Sequence, residues 1–248
     1  MITSTPYTSI PKIMNQNNSD LLADAYLKIL FRRNELTLVS IGACDGVTED
    51  SFANHLMYSE CVAKGHYFEP NKELSAICAK FTGAFAPAIM VHAVAVWNTD
   101  KPVEYWHLPL RDAYGQLSRN GTEVGYGAVG DLIPRELTRE SFAEDVRKIK
   151  VPCMTWDTAC RSYVIDKVDC LNIDIEGRDI DVLQQIDCRK HQMSWVKVEL
   201  RHDPSPASAA FEIKTKYESD YRVLFGRFDL YLISKELPEL KVLDENDC

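Results

Sequence analysis

The chain has 248 residues, a formal net charge of −9 at pH 7 and a pI near 5.2, and it is long enough for one substantial hydrophobic core. The negative net charge argues against a general phosphate-binding surface, so nucleic acid is not an expected partner. No run approaches the roughly 20 apolar residues that cross a bilayer, and residues 1–6 lack the basic start and apolar core of a secretory signal. We therefore expect a cytoplasmic protein with no membrane contact.

Helical and strand patterns alternate along most of the chain. Residues 1–17 contain two prolines among several Asn, Ser and Thr, and they are predicted to form an N-terminal arm before a single domain over residues 18–248. The predicted helices cover residues 19 or 20 to 30, 49–63, 71–81, 155 or 157 to 163, 179–186 and 207–218. The predicted strands cover residues 36–41, 66–68, 89–97, 168–174, 195–200, 221–225 and 229–234, and residues 103–108 are a candidate hairpin partner of the third strand. This rhythm indicates an α/β domain whose sheet is mostly parallel, with helices on both faces and a terminal antiparallel hairpin.

Residues 111–150 interrupt the alternation. They contain five glycines, with Tyr114 and Tyr126 among them. Long segments of this kind inside compact domains are usually functional or mobile, so we interpret the segment as an inserted loop or lid. Plain disorder is the alternative.

A glycine-rich turn follows the first predicted strand, where Gly42 and Gly46 flank Asp45. Glycines at this point let backbone approach a ligand closely. About twenty residues on, the second strand ends in Glu69 and Pro70, and an acid at that position can accept hydrogen bonds from ribose hydroxyls. Asp45 stands where a pyrophosphate would meet negative charge, which favours a cationic cofactor such as S-adenosylmethionine. An NAD-linked oxidoreductase is the alternative for the same turn, although the third glycine of that fingerprint is missing.

Six short motifs resemble the successive motifs of one methyltransferase family. They cover residues 38–46, 68–71, 93–95, 154–157, 171–177 with 181–183, and 198–199. In this order and spacing they resemble the FkbM-family methyltransferases. The resemblance implies a Rossmann-like class I methyltransferase fold with a seven-stranded sheet, dependence on S-adenosylmethionine, and O-methylation of a hydroxyl on a sugar, glycan or small metabolite. One departure is Cys44, which stands where the family commonly has Asn, and it is the only hint of the further alternative, a non-catalytic module of the same fold.

The resemblance also implies a set of cofactor-binding residues. These are Gly42, Ala43, Asp45, Gly46, Glu69, Pro70, Ala93 and Val94. Asp45 would attract the ammonium group of the cofactor, Glu69 would hold the ribose diol, and Ala93 and Val94 would flank the adenine.

Acidic residues also follow the later predicted strands. Because ligands of such sheets bind beyond the carboxyl ends of the strands, these acids are expected at one site. A sugar hydroxyl is a poor acid, so methyl transfer to it benefits from a general base. The candidate catalytic residues are Asp174, Glu199 and His202, and the candidate substrate-binding residues are Asp174, Glu176 and Tyr126. Asp174 with Glu199 could alternatively hold a hard cation such as Mg²⁺, although the sequence contains no local cluster of three oxygen ligands and no metal site is predicted.

Overall fold

A seven-stranded sheet forms the centre of the protein in a computed structural model, which describes residues 16–47, 50–107, 127–129, 146–201 and 206–240. The helices are α1 (Gln16–Leu30), α2 (Ala53–Tyr58), α3 (Lys72–Phe85), α4 (Trp156–Tyr163), α5 (Asp179–Gln185) and α6 (Pro206–Tyr217). The strands are β1 (Glu35–Ile41), β2 (Val62–Phe68), β3 (Ala88–His92), β4 (Ala95–Val96), β5 (Val103–His107), β6 (Gly127–Val129), β7 (Arg147–Val151), β8 (Cys153–Met154), β9 (Cys170–Ile173), β10 (Trp195–Glu199), β11 (Tyr221–Phe225) and β12 (Asp229–Ser234).

The strand order of the central sheet is β11-β12-β10-β9-β1-β2-β3. Strands β3, β2, β1, β9 and β10 are parallel, and only β12 and β11 run antiparallel to their neighbours. The order changes direction at β1, so the carboxyl ends of β1, β2 and β9 meet at the point where such sheets bind ligands. The predicted mostly parallel sheet of seven strands with a terminal hairpin is confirmed, and the fold is Rossmann-like.

Helices cover both faces of this sheet, because buried apolar residues of the strands point alternately to one face and to the other. On β1, Leu36 and Leu38 pack with residues of α1, α2 and α3, while Val39 and Ile41 pack with residues of α4, α5 and α6. Side chains of successive strand residues point to opposite faces, so a strand buried on both sides is apolar almost throughout. The two hydrophobic clusters therefore hold the sheet between two helical layers.

Several predicted elements differ from the structure in length or in pairing. Helix α1 begins at Gln16, before the predicted start at residue 19 or 20. The helix predicted over residues 49–63 is wrong in length, since α2 covers Ala53–Tyr58 and β2 begins at Val62. The predicted hairpin between residues 89–97 and 103–108 is also wrong, because β4 pairs with β8, and β5 pairs with β6 and β7.

Strands β6, β5 and β7 form a small antiparallel sheet, called here the accessory sheet. Two of its strands lie within the segment that the sequence predicted as an inserted loop or lid. Their partners are distant in sequence, with Tyr105 opposite Val129 on β6 and opposite Ile149 on β7. Local patterns do not reveal pairs of this kind. In the described ranges, no helix has the length and apolar character needed to cross a membrane.

Candidate functional site

The turn after β1 lies between the ends of β2 and β9. The N–H groups of Gly42 and Ala43 donate to the carbonyl oxygen of Phe68 at 2.9 and 3.1 Å. Gly42 has φ +80°, and a Cβ built there would lie 1.8 Å from the carbonyl oxygen of Asp174. Gly46 has φ +77°, and its Cβ would lie 2.8 Å from the sulfur of Cys78 on α3. Both glycines are therefore required by the backbone conformation and by the close approach of neighbouring segments.

The backbone of Cys44 adopts a conformation that is uncommon for residues other than glycine. Its φ is 52°, in the left-handed region. Asn, the usual family residue at this position, populates that region more readily than Cys does. The Cys44 N–H donates to the Oε2 of Glu69 at 3.0 Å, and this charge-assisted bond supports the strained turn.

Glu69 is the carboxylate that connects the turn to β2. It is 5% exposed. Its Oε1 accepts the Asn71 N–H at 2.7 Å and its Oε2 accepts the Cys44 N–H at 3.0 Å. Burial raises the pKa of Glu69 to about 7, although the hydrogen bonds from the Asn71 and Cys44 N–H groups oppose the shift. A carboxylate has about four lone-pair sites, so acceptor positions remain beside the two that these backbone donors use.

The other residues predicted for the cofactor lie along the same edge of the sheet. The Glu69 N–H donates to the carbonyl oxygen of His92 at 3.0 Å, which places the end of β3 next to Glu69. Ala93 and Val94 follow directly; Ala93 is exposed and Val94 is buried. Pro70 is buried.

Asp45 faces its own loop. It is 8% exposed, and its Oδ1 accepts the N–H of Val47 at 2.9 Å. The predicted attraction between Asp45 and a cofactor ammonium group stays a prediction.

Three carboxylates converge beyond β9 and β10. One oxygen each from Asp174, Glu176 and Glu199 lies within 4.8 Å of the others. Burial, followed by the charges of Asp174 and Glu176, raises the pKa of Glu199 to about 10. Glu199 therefore keeps its proton at neutral pH and can donate a hydrogen bond, because like charges this close cannot all ionise. The sequence predicted these three residues, and the structure brings them together.

A fourth acid, Asp179, shapes the loop that carries Glu176. Asp179 is 1% exposed, and its two oxygens accept the N–H groups of Ile175 at 2.7 Å and Gly177 at 2.9 Å. Burial, followed by the charge of Asp174, raises the pKa of Asp179 to about 7. In the sequence this residue looked only like an acid at the start of a helix, where the helix dipole favours one.

Two further residues of the site were missed by sequence reasoning. Tyr105 carried no motif, and the accessory sheet places it within electrostatic reach of Glu69. Lys197 looked like one residue of a strand, yet its Nζ lies 3.7 Å from Oδ2 of Asp174 and 3.6 Å from Oδ1 of Asp229. A lysine between apolar residues of a buried strand was the available signal, since such a residue is rarely buried without a partner.

The acids and glycines predicted at separate strand ends thus share one edge of the sheet. Gly42 touches the backbone of Asp174, and Tyr105 lies within electrostatic reach of both Glu69 and Glu176. The predicted site residues His202 and Tyr126 lie outside the described residues.

Comparison with known proteins identifies the family. A sequence model described as the methyltransferase FkbM domain matches residues 40–236. None of the curated proteins compared with the chain matches it.

Three solved structures illustrate the resemblance in fold. The FkbM methyltransferase from Methylobacillus flagellatus is 13% identical, with a TM-score of 0.48 over 80% of this chain and 44% of that one. Aeropyrum pernix fibrillarin, solved with S-adenosyl-L-methionine, is 12% identical, with a TM-score of 0.40 over 86% of this chain and 74% of that one. An O-methyltransferase from Bacillus cereus, solved with S-adenosylhomocysteine, is 7% identical, with a TM-score of 0.39 over 90% of this chain and 84% of that one.

The chain spans less than half the length of the Methylobacillus protein. With TM-scores this low, the assignment depends on the family model, which covers most of the chain and includes every motif that suggested the resemblance except the first two residues of the first one. The chain belongs to the FkbM methyltransferase family.

Proposed function

We propose that this protein transfers a methyl group from S-adenosylmethionine to a hydroxyl group of a sugar, glycan or small metabolite. The observation that carries the proposal is the contact between Gly42 and the Asp174 carbonyl oxygen, because it joins the glycine-rich turn to the cluster of carboxylates. A cofactor held along the turn and by Glu69 would therefore lie beside acids able to take a proton from an acceptor.

The cofactor half of the site, which consists of the turn after β1 and Glu69, favours a positively charged ligand. Asp45 and Glu69 are acids at the ends of β1 and β2, and Asp174 follows β9 and meets the turn through its carbonyl oxygen at Gly42. Fixed negative charge attracts a sulfonium and an ammonium group and repels a pyrophosphate. The alternative of an NAD-linked oxidoreductase receives no such support.

The acceptor half of the site, which lies around Asp174, Glu176 and Glu199, offers both a base and hydrogen-bond donors. The Asp174 side chain is 19% exposed, so a ligand can reach it. Within the described part of the chain, the buried Nε1 of Trp97 and Nε of Arg178 have no hydrogen-bond partner, and the guanidinium carbon of Arg178 lies 6.0 Å from the Trp97 ring centre. Buried donors without partners are costly, and the oxygens of a hydroxylated acceptor would satisfy them.

The proposed reaction is a direct displacement. When bound, S-adenosylmethionine supplies the methyl group and leaves as the neutral thioether S-adenosylhomocysteine. Asp174 accepts the proton of the acceptor hydroxyl as the new carbon–oxygen bond forms and the carbon–sulfur bond breaks. Glu199, which holds its own proton, donates a hydrogen bond that orients the acceptor oxygen. His202 and Tyr126 remain proposed contributors to the same half of the site.

The three carboxylates also have the oxygen chemistry that a hard cation such as Mg²⁺ prefers. Neither the comparisons nor the hydrogen bonds of the described residues support a metal, so no step depends on one. Methyl transfer measured with EDTA and with added MgCl₂ decides the question.

Calorimetry and methyl transfer test the proposal together. The protein is expected to bind S-adenosylhomocysteine and to transfer labelled methyl groups to a member of a panel of monosaccharides, oligosaccharides and hydroxylated metabolites. Asp174→Asn should lower the rate about 100-fold or more and leave S-adenosylhomocysteine affinity nearly unchanged, because a general base acts on the acceptor. Asp157→Asn, on the exposed side of α4, is the matched control and should behave like the natural protein.

Three results would contradict the proposal. Absence of S-adenosylhomocysteine binding would remove the cofactor assignment. Stronger thermal stabilisation by NADH than by S-adenosylhomocysteine would favour the oxidoreductase. Cofactor binding without transfer to any acceptor would favour a non-catalytic module.

A further inference from the structure

A lysine lies behind the carboxylates of the acceptor half of the site. Lys197 is on β10, opposite Asn172 on β9 and Tyr231 on β12. Asp174 comes two residues after Asn172, and Asp229 comes two residues before Tyr231. Successive side chains of a strand alternate between the two faces, so the lysine and the two acids project from the same face of the sheet. Lys197 therefore lies one row further into the sheet than the acids do.

The ammonium group of this lysine is shared between the two acids. Its Nζ lies 3.7 Å from Oδ2 of Asp174 and 3.6 Å from Oδ1 of Asp229. The Lys197 side chain is 12% exposed, and each of the two carboxylate side chains is 19% exposed. An opposite charge this close favours the ionised carboxylate, and burial of the lysine limits screening by solvent. Lys197 is thus placed to act on the charge of Asp174, which is the proposed base.

Other charged groups surround both members of this pair. The acids that act on the lysine are Asp174, Asp229, Glu199 and Asp50. Burial works against the charged form of Lys197, but these four acids outweigh it and raise the pKa of the lysine. The acids that face Asp174 are Glu176, Glu199 and Asp179. Like charges favour the protonated form of Asp174, and the lysine opposes them.

We propose that Lys197 is a positioning residue for methyl transfer, which keeps the Asp174 carboxylate ionised and in place at the end of β9. This inference rests on the proposed function, in which Asp174 takes the proton of the acceptor hydroxyl. A general base must be ionised before it can accept a proton, and an acid among other acids tends to retain one. Lys197 acts through Asp174, because it lies one row behind the acids.

Asp229 provides a substitution with the opposite expected effect. It begins β12, and the Tyr231 hydroxyl lies 3.3 Å from its Oδ2 and 3.1 Å from Oδ1 of Asp20 on α1. The Asp229 carboxylate uses part of the attraction of the ammonium group, which lies almost equally far from both acids. In Asp229→Asn this competing charge is lost and the lysine remains, so Asp174 should hold its charge more strongly.

Two measurements test the inference. NMR of protein labelled with carbon-13 at the aspartate carboxyl groups follows the titration of Asp174, whose signal is assigned by its absence in Asp174→Asn. The pH dependence of methyl transfer to an acceptor from the panel gives the midpoint of the acidic limb of the rate. Lys197→Met should raise both midpoints by about 1–3 pH units, which is the usual effect of an opposite charge at this range. Asp229→Asn should lower both midpoints by about half a pH unit.

Lys64→Met is the matched control. Lys64 is also a strand lysine paired with an acid, but it lies on β2, its side chain is 50% exposed and its partner is Glu35. The variant loses the same charge as Lys197→Met does, and it should leave both midpoints where the natural protein has them. Equal shifts in the two lysine variants would show an effect of net charge alone, and they would overturn the inference.

The outcomes separate this inference from the proposed function, because the NMR titration needs no acceptor. If the natural protein methylates no acceptor, the proposed function fails, whereas the titration still shows whether Lys197 controls the charge of Asp174. If methyl transfer occurs and the midpoints do not move, Lys197 has only a structural role, even where the rate of Lys197→Met falls at every pH. If Lys197→Met does not fold, Asp229→Asn decides, and a midpoint that stays or rises in that variant overturns the inference.

Discussion

Replacing Gly42 by Ala tests whether the close contact between the turn and β9 builds the site. The new Cβ would lie 1.8 Å from the carbonyl oxygen of Asp174, at a residue with φ +80°. A left-handed conformation costs about 1–2 kcal/mol for a residue with a Cβ. Overpacking against a backbone atom costs about 1–3 kcal/mol more, because the two strand ends must move apart. The sum is a loss of about 2–5 kcal/mol in the free energy of unfolding.

Thermal denaturation and calorimetry measure the consequence. For a domain of this size each kcal/mol corresponds to roughly 2–4 °C, so the Tm of Gly42→Ala should fall by about 4–20 °C. S-adenosylhomocysteine affinity should fall with it, since the turn and the carboxylates no longer share one geometry.

Gly83→Ala provides the matched control for this substitution. Gly83 lies within α3, and a Cβ there meets nothing within 4 Å. Ala is favoured over Gly inside a helix by about 0.5–1 kcal/mol, so this variant should be slightly more stable than the natural protein. An unchanged Tm and unchanged ligand affinity in Gly42→Ala would refute the argument that the contact requires glycine.

Two further predictions concern buried charge. Burial, followed by the neighbouring His66, lowers the pKa of His92 to about 4. The unfolded chain takes up a proton at this residue below about pH 6.5 while the folded protein does not, so its contribution to stability falls as the pH falls from 7 to 5. Urea unfolding at pH 7 and pH 5 should show that the free energy of unfolding falls less for His92→Phe than for the natural protein. An equal fall in the two proteins would contradict the assignment. Lys197→Met should lower the free energy of unfolding by about 3–5 kcal/mol, because two partly buried carboxylates lose their cation. Lys64→Met, which removes an exposed ion pair with Glu35, should cost less than about 1 kcal/mol, and similar losses in the two variants would show that burial of Lys197 is unimportant.

The framework of the fold follows from local patterns in the sequence. Short apolar runs bounded by turn residues predict buried strands even when the partner strands are unknown. Residues 36–41 are an example, with apolar side chains on both faces of the strand. The terminal strands over residues 221–225 and 229–234 have the predicted bounds for the same reason. Acids at the ends of parallel strands predict a shared site because the connections of such sheets bring those ends to one edge.

Tertiary structure decided the remaining features, because they depend on contacts between distant residues. The pairing of Ala95 with Cys153 joins strands too short to carry a pattern of their own. The electrostatic contact between Tyr105 and Glu69 requires the accessory sheet, and the charge around Lys197 requires three strands to be packed side by side. The sequence by itself predicted the acids and glycines that lie together and the edge of the sheet at which they meet. Only the folded chain decided which donors and cations accompany each acid, since burial and proximity set the proton affinity of a carboxyl group.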